Sequence, residues 1–298
     1  MSLNRRDFLT SATAAAVGAA IGAGRAEAQA MAAKSSSDTL PVRIGMTDWN
    51  LGERGVVEKV DLARRIGLDG IQVSVLYPAD GLHLRDPKLQ GAYRKAALDN
   101  GVQICSLAIG SLGPGEPFKS EPMGVMRVAD AIEVASNIGT NNILLPFFRD
   151  NAPKTDEEFK RITDTFKELA PIAEYHQVVV SLECSLSGEE HMRILDAVGS
   201  PWIGVYMDPW NCSYYGHDPL VDIPLMKNYI HQVHVKNGKE LMSGPNERGF
   251  AWPEVAELLY KIGYKGWYVL ETGAPSGDLT ADTRKNIDYV RKNFRMPA

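Results

Sequence analysis

Residues 41–298 predict one α/β domain, a closed (β/α)8 barrel. Three observations point to it. Apolar, β-branched runs alternate with stretches of helical period, eight such units fill the chain without a linker, and no glycine-rich phosphate turn follows the first run. The runs begin near Val42, Ile71, Gln103, Asn142, Gln177, Ile203, Ile230 and Trp267. Between them apolar residues recur at helical spacing, as in Val57-Val60-Leu62-Ala63-Ile66 and Val255-Leu258-Leu259-Ile262. Gly67, Gly101, Gly139, Gly263 and Gly266 mark the passages from helix to strand. The first run ends Gly45-Met46-Thr47-Asp48-Trp49-Asn50, which lacks the G-x-G-x-x-G of an open dinucleotide-binding sheet.

Composition agrees with a large folded core. The 298 residues are 44% hydrophobic and 23% charged, a balance that sets disordered and coiled-coil chains aside. A net charge of −5, from 32 Lys and Arg against 37 Asp and Glu, argues against a surface for phosphate backbones, so no nucleic-acid partner is expected. Cys105, Cys184 and Cys212 neither pair off nor have zinc-site spacing, and read as small core residues.

The amino-terminal stretch has another character. Asn4-Arg5-Arg6-Asp7-Phe8-Leu9-Thr10 leads into a weakly apolar run from Ser11 to Gly24, then Arg25 and Ala26-Glu27-Ala28-Gln29-Ala30. A basic start, a short apolar stretch and small residues spaced A-x-A make a bacterial export signal, and the paired arginines before Phe-Leu resemble its twin-arginine form. Residues 1–30 are therefore expected to be a signal peptide cleaved after Ala28 or Ala30. Residues 31–40 are expected to be a flexible leader, and the periplasm or another extracytoplasmic space the destination. A run so short and rich in alanine and glycine is not expected to anchor stably in a membrane. Because twin-arginine export carries folded proteins, folding in the reducing cytoplasm also makes structural disulfides unexpected.

A (β/α)8 barrel carries its chemistry at the carboxyl ends of its strands. Read in order, those ends are Asp48-Trp49-Asn50, Tyr77, Ser111, Arg149-Asp150, Glu183, Asp208, His234 and Glu271. The last four come from four consecutive strands. Strand alternation supports an inward set. Glu183 shares its face with Ser181 and Val179, while Tyr268 and Leu270 lie opposite Glu271. An inward His234 places His231 on the other face, a structural or interface position. Inward polar groups meeting at one mouth need a shared partner. Three carboxylates and an imidazole suit Mn2+, Mg2+, Co2+ or Fe2+ better than a closed structural zinc site.

The chain resembles the xylose isomerase-like TIM-barrel superfamily of sugar isomerases and epimerases over nearly all of residues 41–295. The resemblance rests on Ala63-Arg64-Arg65-Ile66-Gly67-Leu68-Asp69-Gly70-Ile71, Val180-Ser181-Leu182-Glu183, Met207-Asp208-Pro209-Trp210-Asn211, and Val233-His234-Val235-Lys236 followed by Trp252 and Tyr264 to Thr272. It implies one divalent metal ion, Mn2+ foremost with Mg2+, Co2+, Fe2+ and Zn2+ as alternatives, held by Glu183, Asp208, His234 and Glu271. It also implies Glu183 and Glu271 as the catalytic acid and base of an enediolate mechanism on a small carbohydrate.

Some positions depart from the family. Asn211 stands where many members have histidine, Lys236-Asn237 follows His234 in place of x-Asp, and Gln72 replaces a second-strand glutamate. Asn246-Glu247-Arg248-Gly249 replaces a Gly-x-Gly. These changes are expected to alter the substrate shell rather than the metal set. Asn211, Lys236, Glu189, Trp49 and Arg248 are its expected substrate contacts. Trp210, Trp252 and Tyr214-Tyr215 read either as sugar-stacking or as core residues, and His217 as a loop residue. The expected function is metal-dependent isomerisation or epimerisation. The alternatives are elimination from a 3-keto-glycoside at the same metal site and a non-catalytic sugar-binding barrel. The acidic balance counts against the DNA-repair endonucleases that share the fold. A homo-oligomer is left open.

Overall fold

The computed structural model describes residues 39–75, 83–110 and 118–298. The expected signal peptide at 1–30, Tyr77 and Ser111 lie outside the described residues. So does the expected leader, apart from the extended pair Thr39–Leu40. The chain divides into residues 41–297 and a second unit of residues 1–40 with Ala298; the barrel lies in the former.

Eight parallel strands close on themselves, each paired with the next and the last with the first. They are β1 Ile44–Thr47, β2 Gly70–Val75, β3 Gln103–Ile109, β4 Asn142–Phe147, β5 Val179–Cys184, β6 Ile203–Met207, β7 Ile230–Val235 and β8 Trp267–Leu270. The helices are α1 Lys59–Ile66, α2 Pro87–Asn100, α3 Pro122–Ile138, α4 Asp156–His176, α5 Gly188–Val198, α6 Pro209–Tyr214, α7 Pro219–Leu225, α8 Trp252–Lys261 and α9 Leu279–Asn293. Among the described residues, no helix is long and apolar enough to cross a membrane.

Local chemistry sets the boundaries. Gly67, Gly101 and Gly139 close α1, α2 and α3 in the left-handed conformation that glycine tolerates best. Helix α4 opens with a reciprocal capping box between Thr155 and Glu158. It closes on Gln177, which takes the left-handed conformation at φ 54°. Strand β5 therefore starts at Val179 rather than at Gln177, where the apolar run began, because Gln177 is spent on ending the helix.

The strands bury both faces. Val178, Val180, Leu182, Val233, Val235, Tyr268 and Leu270 join the layer between sheet and helices. Cys105, Ala108, Leu144, Tyr206, Trp267 and Val269 pack inside the barrel. The expected alternation at β5, β7 and β8 follows from this division. All three cysteines are buried and free. Gln72, Ser74, Ser106, Ser181 and Gln232 are buried polar residues of these strands. Two irregularities interrupt the ladders. The β2–β3 register shifts between Ile71 and Gln72, leaving Cys105 as the extra residue, and the β6–β7 register shifts between Val205 and Tyr206.

At the amino-terminal end of the barrel the backbone approaches itself closely. A Cβ on Gly266 would press onto the His231 carbonyl oxygen and the Tyr264 ring, and one on Gly204 would meet the His231 ring. His231 has a structural place, but not by the alternation that set it on the outer face: it is the extra residue at the β6–β7 shift, and its ring packs against Gly204, which shares the parity of Tyr206. Since backbone cannot yield as a side-chain tip can, Gly266→Ala should lower unfolding free energy by about 2–3 kcal/mol. Urea denaturation checks it; an unchanged midpoint would mean that the strand shifts freely.

Candidate metal centre

Closing the barrel brings the ends of β5 to β8 together. Glu183 is the penultimate residue of β5, His234 the penultimate residue of β7, and Glu271 follows β8 directly. Asp208 follows β6 and caps α6, its Oδ1 accepting from the Asn211 backbone N–H at 2.9 Å. One cap thus orients the carboxylate and starts the helix. Each of the four side chains offers one donor atom, and these atoms lie within 4.8 Å of one another. The imidazole Nδ1 faces the carboxylates, 3.3 Å from Glu183 Oε1, 3.6 Å from Glu271 Oε2 and 3.8 Å from Asp208 Oδ2.

Further groups hold these donors. The Asn211 side-chain amide donates to Glu183 Oε1 at 2.9 Å, and the Trp49 indole N–H to Glu271 Oε1 at 3.2 Å. Lys236 Nζ lies 2.7 Å from both Glu271 Oε2 and Asp208 Oδ2. Asp208 Oδ2 is fully buried, and the ammonium is its close ionic neighbour without a hydrogen bond of good alignment. On the far side of the imidazole, Nε2 sits 2.9 Å from Gln72 Oε1.

Charge decides what fits here. With His234 neutral, as a ligand must be, three carboxylates face the single ammonium of Lys236. Two negative charges remain uncompensated, which matches one divalent cation, and the oxygen-rich donor set suits a hard ion. The protonation equilibria reflect the crowding. Burial pushes Asp208 up to about 6, reinforced by Glu183 and Glu271 against the pull of Lys236 and His234. Burial also works against the charged form of Glu183, but His234 and Lys236 outweigh it and hold the carboxyl below its usual range. For His234, burial favours the neutral ring, yet Glu183 and Glu271 outweigh it and raise the pKa. Lys236 is raised in the same way, burial being overcome by Asp208, Glu271 and Glu183.

The mouth beside this cluster is a cavity of about 920 Å³, lined among others by Trp49, Trp210, Lys236, Asn237, Arg248 and Glu271. Of the expected substrate contacts, Trp49, Lys236 and Arg248 line it. The Arg248 guanidinium stacks 4.4 Å from the Trp210 ring centroid and 5.1 Å from that of Tyr214. Asn211 is engaged with Glu183 and Asp208. Glu189 stands exposed in the first turn of α5, outside the cavity lining, where its charge complements the helix dipole. Trp252 is a core residue whose indole donates to the Lys236 carbonyl at 3.1 Å, and His217 lies 3.3 Å from the Ser185 carbonyl. Gln72 corrects the sequence reading: it lies behind His234 rather than in the substrate shell, because it points into the barrel interior and its Oε1 reaches His234 Nε2 across it. Tyr206 and Ser106, its neighbours, were not singled out, although a polar residue at an inward position of an apolar strand is the signal that marks such groups.

Protons and a cation compete for the same atoms. As pH falls through about 6, Asp208 takes up a proton and His234, raised above its ordinary value, is already protonated. Mn2+ affinity should therefore weaken at least about tenfold between pH 7.5 and pH 5.5 in titration calorimetry. A flat profile would place the metal elsewhere.

Known proteins of similar sequence or shape bear on this chain. The 2-epi-5-epi-valiolone 7-phosphate 2-epimerase of Actinoplanes sp. is 29% identical over 198 residues, covering 66% of this chain and 73% of the relative. The L-ribulose-5-phosphate 3-epimerase of Escherichia coli is 24% identical over 253 residues, covering 79% and 88%. Among solved structures, a D-psicose 3-epimerase determined with D-fructose present aligns at TM-score 0.70 and 14% identity, over 85% of this chain and 99% of that one. The 3-keto-D-glucoside 4-epimerase of E. coli aligns at TM-score 0.67 and 15% identity, over 84% and 99%. At such identities these two likenesses show the fold. The family model described as xylose isomerase-like TIM barrel matches residues 60–293, from the first barrel helix to the end of the last. The chain therefore belongs to the xylose isomerase-like TIM-barrel family.

Proposed function

We propose that this protein is a divalent-metal-dependent isomerase or epimerase of a sugar or sugar derivative, moving a proton at a carbon next to a carbonyl. The observation that carries the reading is the convergence of Glu183, Asp208, His234 and Glu271 within 4.8 Å beside an open cavity. The names of the two curated relatives, both epimerases, support it. A bound divalent ion would polarise the carbonyl and make the neighbouring C–H more acidic.

The chain's own residues supply the rest. Glu183 is buried and kept ionised by its surroundings, fit to accept a proton as an enediolate forms. Glu271, whose side chain is 23% exposed, faces the cavity with the Lys236 ammonium and the Trp49 indole fixing its two oxygens. In its acid form, after taking a proton from solvent through the cavity, it would be placed to give that proton to the substrate, while the proton accepted by Glu183 is lost to solvent to reset the pair. Asp208 and His234 hold the metal alone.

Glu183→Gln keeps an oxygen that accepts from Asn211 while removing the base. It should lower kcat by about 10²–10⁴-fold with the fold intact. The check is turnover of ketoses, aldoses and their phosphates in D2O, with deuterium appearing at the exchanged carbon. An active Glu183→Gln enzyme would overturn the assignment, and release of an aglycone from a keto-glycoside would mark elimination instead.

Export belongs to the same proposal, on the strength of Arg5-Arg6 and the A-x-A segment. Replacing Arg5 and Arg6 by Lys should keep the protein in the cytoplasmic fraction. Unchanged export would remove the basis for that location.

A further inference from the structure

Behind His234 lies a polar network that the proposed reaction does not use. Gln72, Ser106, Tyr206 and His234 are all essentially without solvent contact. The Gln72 side-chain NH2 donates to Ser106 Oγ at 2.9 Å and to Tyr206 Oη at 3.0 Å, and its Oε1 lies 2.9 Å from His234 Nε2. The Tyr206 ring packs against the imidazole with centroids 4.5 Å apart. Gln72 and Tyr206 each adjoin one of the two register shifts, at Ile71/Gln72 and Val205/Tyr206. Such irregularities re-aim side chains near functional sites.

A neutral imidazole has one N–H and one lone pair. With the Gln72 carbonyl oxygen facing Nε2, the proton belongs on Nε2 and the lone pair on Nδ1, the atom turned to the three carboxylates. With the amide reversed, Nε2 would accept from Gln72 and the Nδ1–H would point into the cluster, where it cannot bind a cation. In the structure the amide NH2 lies against the Ser106 and Tyr206 oxygens, which leaves the carbonyl oxygen on the imidazole side. Because a hydroxyl can give or take a hydrogen bond, the direction of the amide is read from this placement together with the need for a lone pair on Nδ1.

We propose that Gln72 is a positioning residue that sets the metal-binding tautomer of His234, with Ser106 and Tyr206 holding its amide in place. The inference rests on the reading of the cluster as a metal centre. Groups that orient a ligating histidine typically change metal affinity 10–100-fold when removed.

The test uses Mn2+ titration calorimetry on the parent, Gln72→Leu and Gln72→Glu, with nitrogen-15 histidine spectra of the Zn2+-bound parent. The parent should bind one Mn2+, Gln72→Leu about 10–100-fold more weakly, and Gln72→Glu should recover most of the loss, since its oxygen accepts the same N–H. The spectra should show His234 protonated at Nε2. Gln72→Leu within twofold of the parent, or a proton on Nδ1, would overturn the proposal. A parent that binds no Mn2+ would overturn the metal reading itself, a separate outcome. If Gln72→Leu does not fold, the parent spectra and Tyr206→Phe, expected to weaken binding severalfold, decide the matter.

Discussion

Three carboxylates and an imidazole crowded within 4.8 Å at the mouth of the barrel form the arrangement on which the other features of the site depend. Like charges removed from water repel, and ionised groups are costly to bury unless paired. Neighbouring groups restrain this set: Asn211 holds Glu183 and, through its backbone, Asp208; Trp49 and Lys236 hold Glu271; Gln72 holds His234. The cluster is tolerable only because a cationic side chain already stands in it and a divalent ion would neutralise the remainder.

The strands make this precision available. A residue on β2 reaches one on β7, 162 positions later, because the sheet has closed and its interior is narrow. The two ends of the barrel then divide the labour. At the amino-terminal end, Gly204, Gly266 and Trp267 pack backbone and rings closely. At the carboxyl end, polar side chains replace apolar ones and a cavity opens. The site therefore stands on rigid strand ends while the loops beyond them shape the cavity.

Much of this was legible in the sequence. Eight repeats of strand and helix signals named the barrel, and period-two alternation placed Glu183, His234 and Glu271 inward. Asp208 was readable from its place just past the sixth apolar run and from Met207-Asp208-Pro209-Trp210-Asn211, whereas its role as the cap of α6 shows only in the structure. What escaped depends on distances across the barrel. Nothing local distinguishes Asn211 or Lys236 reaching a substrate from the same residues reaching carboxylates on neighbouring strands. Glu189 sits only six residues beyond Glu183, but the turn into α5 carries it to solvent. Gln72 was noticed as a departure, yet its partner was not, since a contact across the closed barrel has no signature in residue types.

The most direct measurement is anomalous diffraction at the manganese absorption edge from crystals grown with Mn2+. The account predicts one strong peak bounded by Glu183, Asp208, Glu271 and the Nδ1 atom of His234, with Nε2 still hydrogen-bonded to Gln72. A peak at another place, or an imidazole turned so that Nε2 meets the ion, would contradict it.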